Sequence, residues 1–295
     1  MNDQNIPVGF IGLGVMGGPM AGHLSAAGYR VSVFNRSPGK LAAWLQNNDG
    51  RAANSPYEMA TQVEHIVSCV GNDDDLREIA IGSNGAIAKM RPGSVFIDHT
   101  TTSAGVAREI AAVAEQYHVH FVDAPVSGGQ AGAEAGTLTV MCGGSVEAFQ
   151  LAVPIIESYA KACNLMGPSG AGQLTKMVNQ ISIAGLLQGL SEALNFGMKV
   201  DLDMDQVIDV ISQGAAQSWQ LENRGKTMCR DEFDFGFAID LMRKDLGIVM
   251  AEARERRVKI PVTELVDSYY ANLQEVGHNR KDTSSLIKLL REDKR

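Results

Sequence analysis

The chain has 295 residues, of which 45% are hydrophobic and 20% charged, and its formal net charge at pH 7 is −8. This composition is typical of a globular protein with a sizeable core, long enough for one large domain or two ordinary ones. The negative charge argues against a protein that binds nucleic acid by neutralising phosphates, and no apolar stretch reaches the roughly 20 residues of a membrane helix.

The four cysteines are scattered and the six histidines lack the spacing of metal ligands. We therefore expect reduced, buried thiols and neither a disulfide framework nor a metal site. The start of the chain, residues 1–5, is polar and carries no basic segment, so no signal peptide is expected. Together these features predict a cytoplasmic protein.

The first predicted strand, Val8–Ile11, ends in a glycine-rich turn with the spacing G-x-G-x-x-G, and an apolar helical pattern follows it. In this setting the three glycines allow a tight turn, close approach of a pyrophosphate, and close packing of the helix on the strand. The unpaired N–H groups at the start of the helix suit an anion. A βα turn without a ligand is the alternative. We predict that the turn binds a dinucleotide through Gly12, Leu13, Gly14, Val15 and Met16.

The second predicted strand, Val31–Phe34, ends in Asn35, Arg36 and Ser37. An acidic residue at this place hydrogen-bonds the ribose 2′-hydroxyl of NAD, whereas an arginine accommodates the 2′-phosphate of NADP. Here no carboxylate is present, Arg36 offers a fork of donors, and Lys40 lies close enough to add charge. The sequence thus favours NADP(H), with NAD(H) as a possible cofactor. A solvated loop that merely contains an arginine is the alternative.

The rest of the first half alternates short β-type runs with helical patterns, which indicates a parallel sheet with helices on both faces. Ligands of such sheets lie beyond the carboxyl ends of the strands, so the loop that begins with Val70 and Gly71 and the loop Thr100–Thr102 should border the cofactor. Simple turn formation explains the threonines equally well. The further predicted elements are strands His65–Val70, Val95–Asp98, His120–Val122, Thr137–Cys142 and Cys163–Met166, and helices Pro19–Ala27, Gly39–Gln46 and Gly105–Tyr117.

Another predicted strand end carries the segment Asp123–Gly129. The hydroxyl of Ser127 and the N–H groups of Gly128 and Gly129 are suited to a small anion nest for a substrate carboxylate. A tight glycine-rich turn without a ligand is the alternative.

The character of the chain changes near the breaker-rich segment 167–172. A long apolar stretch follows, Leu174 to Met198, which predicts one helix buried on most sides. Beyond it the β signal disappears, and helical spacing continues in Val207–Ser212, Phe237–Arg256, Val262–Val276 and Ser284–Leu290. We predict an α/β Rossmann-type domain over residues 1–166 and an all-α domain over residues 167–295, joined by the long helix.

Near the start of the long helix, Lys176, Asn179 and Gln180 share one face among apolar neighbours. A buried lysine is costly without a partner or a role, and such an amine can donate a proton in catalysis. A lysine that extends from the helix to water is the alternative. Further along, Lys244 could reach the cofactor or substrate, but its neighbour Asp245 makes a solvated helix face the favoured interpretation from the sequence alone.

Four separated motifs, in this order along nearly the whole chain, resemble those of the β-hydroxyacid dehydrogenase family, which includes 3-hydroxyisobutyrate dehydrogenase and tartronate semialdehyde reductase. The first two are the glycine signature from Phe10 to Met20 and the segment Asp123–Gly129. The third is G-x-x-G-x-G-x-x-x-K-x-x-N over Gly167–Asn179, and the fourth is Lys244-Asp245-Leu246.

The resemblance implies reversible oxidation of a small 3-hydroxy acid to its semialdehyde, in a homodimer or homotetramer built through the helical half. It implies Lys176 as general acid in reduction and base in oxidation. The other roles it implies are substrate orientation by Asn179, carboxylate binding by Ser127, Gly128 and Gly129, and cofactor contacts from Thr101 and Lys244.

Two departures from the family pattern concern residues that we assign to substrate binding. Many members follow the lysine with Asn-Asn, whereas this chain has Asn179-Gln180, as in tartronate semialdehyde reductases. Trp219 lies in the variable region expected near the substrate, where it either walls the pocket or belongs to the core. Two rival functions share this architecture: an imine reductase, in which the lysine is generally replaced, and a scaffold that binds NADP without catalysis.

Overall fold

A computed structural model describes residues 6–291 of the chain. These residues form two compact units, and the division between them falls between Lys176 and Met177, inside one long helix. The first unit is a Rossmann-type α/β domain and the second is helical, which confirms the predicted fold class. Among the described helices, none is both long and apolar enough to cross a membrane.

The strands of the first unit belong to a single sheet. They are β1 Pro7–Ile11, β2 Arg30–Phe34, β3 Arg51–Ala52, β4 His65–Ser68, β5 Val95–Asp98, β6 His120–Asp123, β7 Val126–Ser127, β8 Leu138–Gly143 and β9 Ala160–Gly167. Their order is β3-β2-β1-β4-β5-β6-β8-β7, and β9 also pairs with β8. β3 and β7 were not predicted from the sequence, because a strand of two residues shows no recognisable alternation.

The sheet is parallel from β3 to β6, but β8 runs antiparallel to both β6 and β7. The predicted parallel sheet is thus extended at this edge by an antiparallel strand, whose direction was not predicted. The connection between β7 and β8, residues 128–137, is shorter than the dozen or so residues that a parallel crossover needs. Across the parallel part, the carboxyl ends of β1, β4, β5 and β6 meet at one edge, which is where such sheets bind ligands.

Helices cover both faces of this sheet. Neighbouring residues of β1, Phe10 and Ile11, belong to two different hydrophobic clusters, as do Ile97 and Phe96 of β5. Because side chains alternate along a strand, each face of the sheet has its own core. The helices of this unit are α1 Gly17–Ala26, α2 Pro38–Asn47, α3 Pro56–Ala60, α4 Asp73–Ile81, α5 Ala104–Gln116, α6 Gly129–Glu134 and α7 Val146–Ile156, with a 3-10 turn at Ile87–Lys89.

The second unit contains most of the long helix α8, Ala171–Lys199, whose prediction is confirmed. The expectation that α8 is buried on most sides was wrong, since Val178, Leu186 and Phe196 are exposed in the single chain. The predicted last helix begins instead as a 3-10 turn, Thr283–Ile287. The remaining helices are α9 Met204–Ile211, α10 Trp219–Cys229, α11 Ile239–Glu255, α12 Pro261–Glu275 and α13 Lys288–Arg291.

The four cysteines are free thiols, and no cluster of metal-ligand type occurs among the described residues. Two of the thiols lie close together across β8 and β9, with 3.4 Å between the Sγ atoms of Cys142 and Cys163. This proximity could not be predicted from the sequence, because the two cysteines are 21 residues apart.

A buried histidine stands at the end of β5. Nδ1 of His99 lies 2.6 Å from the Ala124 carbonyl oxygen, and Nε2 lies 2.8 Å from the Tyr159 hydroxyl. A carbonyl only accepts hydrogen bonds, so Nδ1 carries the proton and Nε2 accepts from Tyr159. Burial lowers the pKa of His99 from 6.5 to about 4, so the folded protein holds the neutral ring.

We expect acid to destabilise the fold through His99. Because the pKa is lower in the folded state, the unfolded state binds the proton first, and this contribution to stability disappears as the pH falls from 6.5 toward 4. Between pH 8 and pH 5 the loss is about 2 kcal/mol. His99→Gln offers a donor to Ala124 and an acceptor to Tyr159 without titrating. Urea unfolding should therefore show that the wild type loses about 2 kcal/mol more than this variant over that range; equal losses would contradict the prediction.

Candidate active site

The glycine-rich turn between β1 and α1 contains two glycines that the fold requires and one that has free space beside it. Gly12 has φ +98°, and a Cβ there would overlap the Cys69 carbonyl oxygen. A Cβ at Gly17 would overlap the Gly12 carbonyl oxygen. At Gly14, no atom of the described chain other than those of Gly14 and its two chain neighbours lies within 4 Å of the position a Cβ would take. The fold thus requires Gly12 and Gly17, whereas Gly14 leaves backbone that a pyrophosphate can approach, so the residues present fit a dinucleotide.

Asn35 ties this turn to the end of β2. Its Oδ1 accepts a hydrogen bond of 2.8 Å from the Leu13 N–H, and its Nδ2 donates to the Ser37 carbonyl oxygen at 3.0 Å. Both of these contacts are internal to the protein. Asn35 therefore fixes the loop on which the neighbouring cofactor candidates lie.

A cationic patch follows Asn35 at the start of α2. The Arg36 side chain is 88% exposed, and its Nη1 lies 3.1 Å from Oδ1 of Asp75 in α4. Ser37 is the N-cap of α2 and, in the described structure, its side chain makes no capping hydrogen bond, while Lys40 lies in the first turn. The helix start, the arginine and the lysine together suit a phosphate. The acidic neighbour Asp75 was not predicted from the sequence, because it is 39 residues from Arg36.

The two other predicted cofactor loops meet at the carboxyl ends of β4 and β5. The Val70 N–H donates to the Thr100 hydroxyl at 3.0 Å. Gly71 lies against Asp75, whose Oδ2 would be 2.5 Å from a Cβ at that position. Thr101 follows Thr100 and is half-buried. The structure thus brings these loops together on the edge that also carries the glycine-rich turn.

Lys176 lies beside the predicted substrate motif. Its side chain is buried, with 7% exposure of the residue, and Nζ donates to the Val126 carbonyl oxygen at 2.8 Å. This burial contradicts the alternative of a lysine that extends to water. Val126 directly precedes Ser127, and Gly128 and Gly129 follow with φ values of +131° and +60°. The Lys176 amine therefore bonds the residue that directly precedes the predicted carboxylate nest.

The glycines before Lys176 let α8 begin directly on the sheet. Gly167 and Gly170 have φ values of +147° and +91°, in the region that favours glycine. A Cβ on Gly172 would overlap the carbonyl oxygens of Met141 and Asp123. The G-x-x-G-x-G part of the third motif is thus explained by two unusual turns and one close approach.

Two buried polar residues at this junction were not singled out from the sequence. The Asp123 carboxylate accepts from the N–H groups of Gly170 and Gln173 at 2.6 and 3.0 Å. The Gln173 side chain bonds the backbone of Thr100 and Thr102. A polar residue in the first turn of a mostly apolar helix was the available signal for Gln173, but its partners, 71 and 73 residues away, were not predictable.

In the helical unit, a chain of hydrogen bonds joins Asn179, Gln180 and Asp245. Nδ2 of Asn179 donates to Oε1 of Gln180 at 2.8 Å, and Nε2 of Gln180 donates to Oδ2 of Asp245 at 2.7 Å. Nζ of Lys244 lies 3.3 Å from Oδ1 of Asp245, whose side chain is 3% exposed. The favoured interpretation of this pair as a solvated helix face was therefore wrong. The Gln180 amide thus bonds Asn179 and Asp245. Its predicted role in substrate binding stays a prediction.

We expect Gln180→Leu to destabilise the helical unit by about 1–3 kcal/mol, because the Asp245 carboxylate loses a buried hydrogen bond. Urea unfolding monitored by circular dichroism measures the loss. Gln188→Leu on the same helix is the matched control, since Gln188 bonds exposed Glu192 and should change stability little. A Gln180→Leu variant as stable as the control would contradict this account.

Trp219 begins α10 and is 46% exposed, so it is not a core residue. Its ring lies 5.0 Å from the Arg224 guanidinium, which also lies 4.0 Å from the Phe235 ring. Arg224 further pairs with buried Asp282 at 3.6 Å. The predicted contact of Trp219 with substrate stays a prediction.

Comparison with known proteins covers both units. A family model described as the NAD binding domain of 6-phosphogluconate dehydrogenase matches residues 7–167. A second, described as NAD-binding of NADP-dependent 3-hydroxyisobutyrate dehydrogenase, matches residues 170–290. The two matches together account for nearly the whole chain.

Several similar proteins match over nearly their full lengths. An uncharacterized oxidoreductase of Shewanella frigidimarina is 54% identical, over 95% of this chain and 96% of that protein. The 2-(hydroxymethyl)glutarate dehydrogenase of Eubacterium barkeri is 32% identical, over 97% of this chain and 95% of that protein. The solved structure of Mycobacterium tuberculosis 3-hydroxyisobutyrate dehydrogenase with L-serine is 29% identical, has a TM-score of 0.87, and covers 97% of this chain and 99% of that chain.

Proposed function

Because this chain belongs to the β-hydroxyacid dehydrogenase family, we propose that it interconverts a small 3-hydroxy acid and its semialdehyde, with NADP(H) as the preferred cofactor. As a member of that family it binds NAD(P)(H) and is an NAD(P)-dependent oxidoreductase acting on CH–OH groups. The observation that carries the finer proposal is the buried Lys176 amine, 2.8 Å from the carbonyl oxygen of Val126, which lies within the predicted substrate motif.

The names of similar proteins indicate the substrate class. 3-Hydroxyisobutyrate, 2-(hydroxymethyl)glutarate and L-serine all carry a CH₂OH group on the carbon next to a carboxylate. We propose a substrate with the same two groups, whose carboxylate meets Ser127, Gly128 and Gly129. Its hydroxyl would then lie near Lys176, with Asn179, three residues further along α8, orienting it. These three compounds differ in the third group on that carbon.

Within this proposal the protein's residues manage the proton. When bound, the nicotinamide supplies the hydride in reduction and accepts it in oxidation. Lys176, protonated, donates a proton to the forming hydroxyl in reduction; as the neutral amine it removes that proton in oxidation. The Val126 carbonyl holds the amine in place before and after the transfer.

The preference for NADP(H) rests on the cationic start of α2. Arg36, Ser37 and Lys40 offer charged and backbone donors to a 2′-phosphate, with no acidic residue at the end of β2. We also propose contacts from Thr101 and Lys244 to the cofactor. Exposed apolar residues of α8, Val178, Leu186 and Phe196, support a homodimer or homotetramer built through the helical unit, and the free thiols fit a cytoplasmic enzyme.

A substrate panel tests the function. Purified protein is mixed with NADPH or NADH and, in separate reactions, with cyclic imines or with the semialdehydes of 3-hydroxyisobutyrate, tartronate and related 2-substituted acids, and cofactor absorbance is followed. We expect reduction of at least one semialdehyde, with higher kcat/KM for NADPH. Reduction of cyclic imines alone would instead indicate an imine reductase. Cofactor binding without turnover of any member would indicate a scaffold.

A further inference from the structure

We propose that Asp123 and Gln173 are positioning residues that hold the first turn of α8 against the loop Thr100–Thr102 and thereby fix the Lys176 amine. This inference deepens the proposed function and rests on it, because it concerns how the same proton donor is placed. All of the groups involved lie in the first compact unit. Three features support this inference. A side chain from a strand caps the helix, glycines allow that side chain to lie close to the helix, and one helix side chain binds a neighbouring loop.

The cap comes from β6. The N-cap position of α8 is Gly170, which has no side chain with which to satisfy the N–H groups of the first turn. The Asp123 carboxylate serves as the cap instead. Its Oδ1 accepts from the Gly170 N–H at 2.6 Å and its Oδ2 accepts from the Gln173 N–H at 3.0 Å. A carboxylate at a helix N-terminus also interacts favourably with the helix dipole. The start of the helix is thus fixed to the sheet by both carboxylate oxygens.

Glycines keep this contact short. A Cβ at Gly143 on β8 would lie 2.5 Å from Oδ1 of Asp123, and one at Gly172 would lie 2.9 Å from Oδ2. Asp123 itself has 0% exposure. Because Lys176 follows Gln173 by less than one turn, a shift of the capped turn moves the amine with it.

Gln173 joins the same turn to the predicted cofactor loop. Its side chain has 1% exposure; Oε1 accepts from the Thr102 N–H at 3.0 Å and Nε2 donates to the Thr100 carbonyl oxygen at 2.7 Å. One amide therefore bonds the backbone on both sides of Thr101, as a neighbouring strand would. The proton donor and the loop predicted to border the cofactor are linked through a single side chain.

Protonation of Asp123 would loosen this arrangement. Burial is the main cause that raises the pKa of Asp123 to about 7, and Asp98 on β5 raises it further, against the lowering effect of the Gly170 and Gln173 N–H groups. The Cys142 thiol on β8 is another titratable group that interacts with Asp123. A protonated carboxyl presents an O–H toward an N–H, so one of the two capping bonds is lost.

The pH profile of kcat for semialdehyde reduction, at saturating cofactor and substrate, separates Asp123 from Lys176. As the general acid, Lys176 must be protonated and contributes only an alkaline limb. We expect the wild type to show an additional acid limb centred near pH 7. Asp123→Asn should lack that limb and lower kcat by about 10²-fold, with the Kd for NADPH little changed, because the amine is displaced while the glycine-rich turn is intact.

Gln173→Leu provides a second variant if Asp123→Asn does not fold. We expect it to lower kcat while KM for the semialdehyde changes little, and we expect Gln173→Glu, which keeps the acceptor for Thr102, to restore part of the rate. Two controls should keep wild-type kcat. Asp203→Asn removes the carboxylate cap of α9, and Gln188→Leu replaces an amide on the same helix as Lys176.

Amide hydrogen exchange over residues 168–176 is the readout that does not depend on substrate. We expect faster exchange of the Gly170 and Gln173 amides in Asp123→Asn than in the wild type. Unchanged exchange, or a variant with the wild-type pH profile and kcat, would overturn the inference. If the wild type reduces none of the semialdehydes, the proposed function fails, while the exchange experiment still decides whether Asp123 holds the turn.

Discussion

Lys176→Ala is expected to lower kcat for semialdehyde reduction by about 10²–10⁴-fold, the usual contribution of a positioned general acid. The reason is geometric as well as chemical. The amine is buried and donates to the Val126 carbonyl oxygen at 2.8 Å, so truncation removes the proton donor and leaves a carbonyl that cannot replace it. Steady-state kinetics with NADPH and the best semialdehyde of the panel measure the effect, and fluorescence titration should show that NADPH still binds.

Two further variants make this result specific. Lys199→Ala removes an exposed lysine from the last turn of the same helix and should leave kcat unchanged. Lys176→Arg keeps the positive charge but gives a group that stays protonated, so oxidation, which needs a base, should be impaired at least as strongly as reduction. A Lys176→Ala enzyme with near-normal turnover would remove Lys176 from the mechanism.

The parts of this protein that the sequence predicted are those encoded by short-range patterns. The turn from Gly12 to Gly17 and the helix after it follow from residue spacing alone, and so does the long helix that carries Lys176. The alternation of strands and helices predicted the Rossmann-type unit, and the loss of β signal predicted the helical one. In each case the residues that identify an element lie within about two helical turns or one strand of each other.

The parts that escaped prediction depend on contacts between distant residues. The bond of Gln180 to Asp245 spans 65 residues, and that of Gln173 to Thr102 spans 71. Both hydrogen bonds join polar groups inside the protein, where a polar residue is costly unless it has a hydrogen-bond partner. The burial of Asp245, contrary to the solvated face favoured from its neighbour Lys244, has the same origin. Sequence spacing carries no information about such partners.

Arg36→Ala is expected to lower kcat/KM for NADPH by about 10- to 100-fold and to leave kcat/KM for NADH nearly unchanged. A charge-assisted hydrogen bond contributes about 1.5–3 kcal/mol, and only NADPH carries the 2′-phosphate that would accept it. The pair between Arg36 and Asp75 does not oppose this role, because exposed ion pairs contribute roughly 0–1 kcal/mol and Arg36 is 88% exposed. Kinetics with both cofactors on each variant give the ratio.

Asp75 should lower kcat/KM for NADPH further in the Arg36→Ala variant, beyond the loss of one hydrogen bond. With Arg36 removed, the Asp75 carboxylate, 28% exposed and beside Gly71, is left without that counter-ion near the place proposed for the phosphate. Its charge should then repel the 2′-phosphate, which NADH lacks, so Arg36→Ala/Asp75→Asn should recover part of the lost NADPH rate. Lys226→Ala, which breaks an exposed lysine–aspartate pair in the helical unit, is the control and should leave the cofactor ratio unchanged. If the double variant is no better than Arg36→Ala, Asp75 takes no part in cofactor choice; if Arg36→Ala keeps the wild-type ratio, the NADP preference has another source.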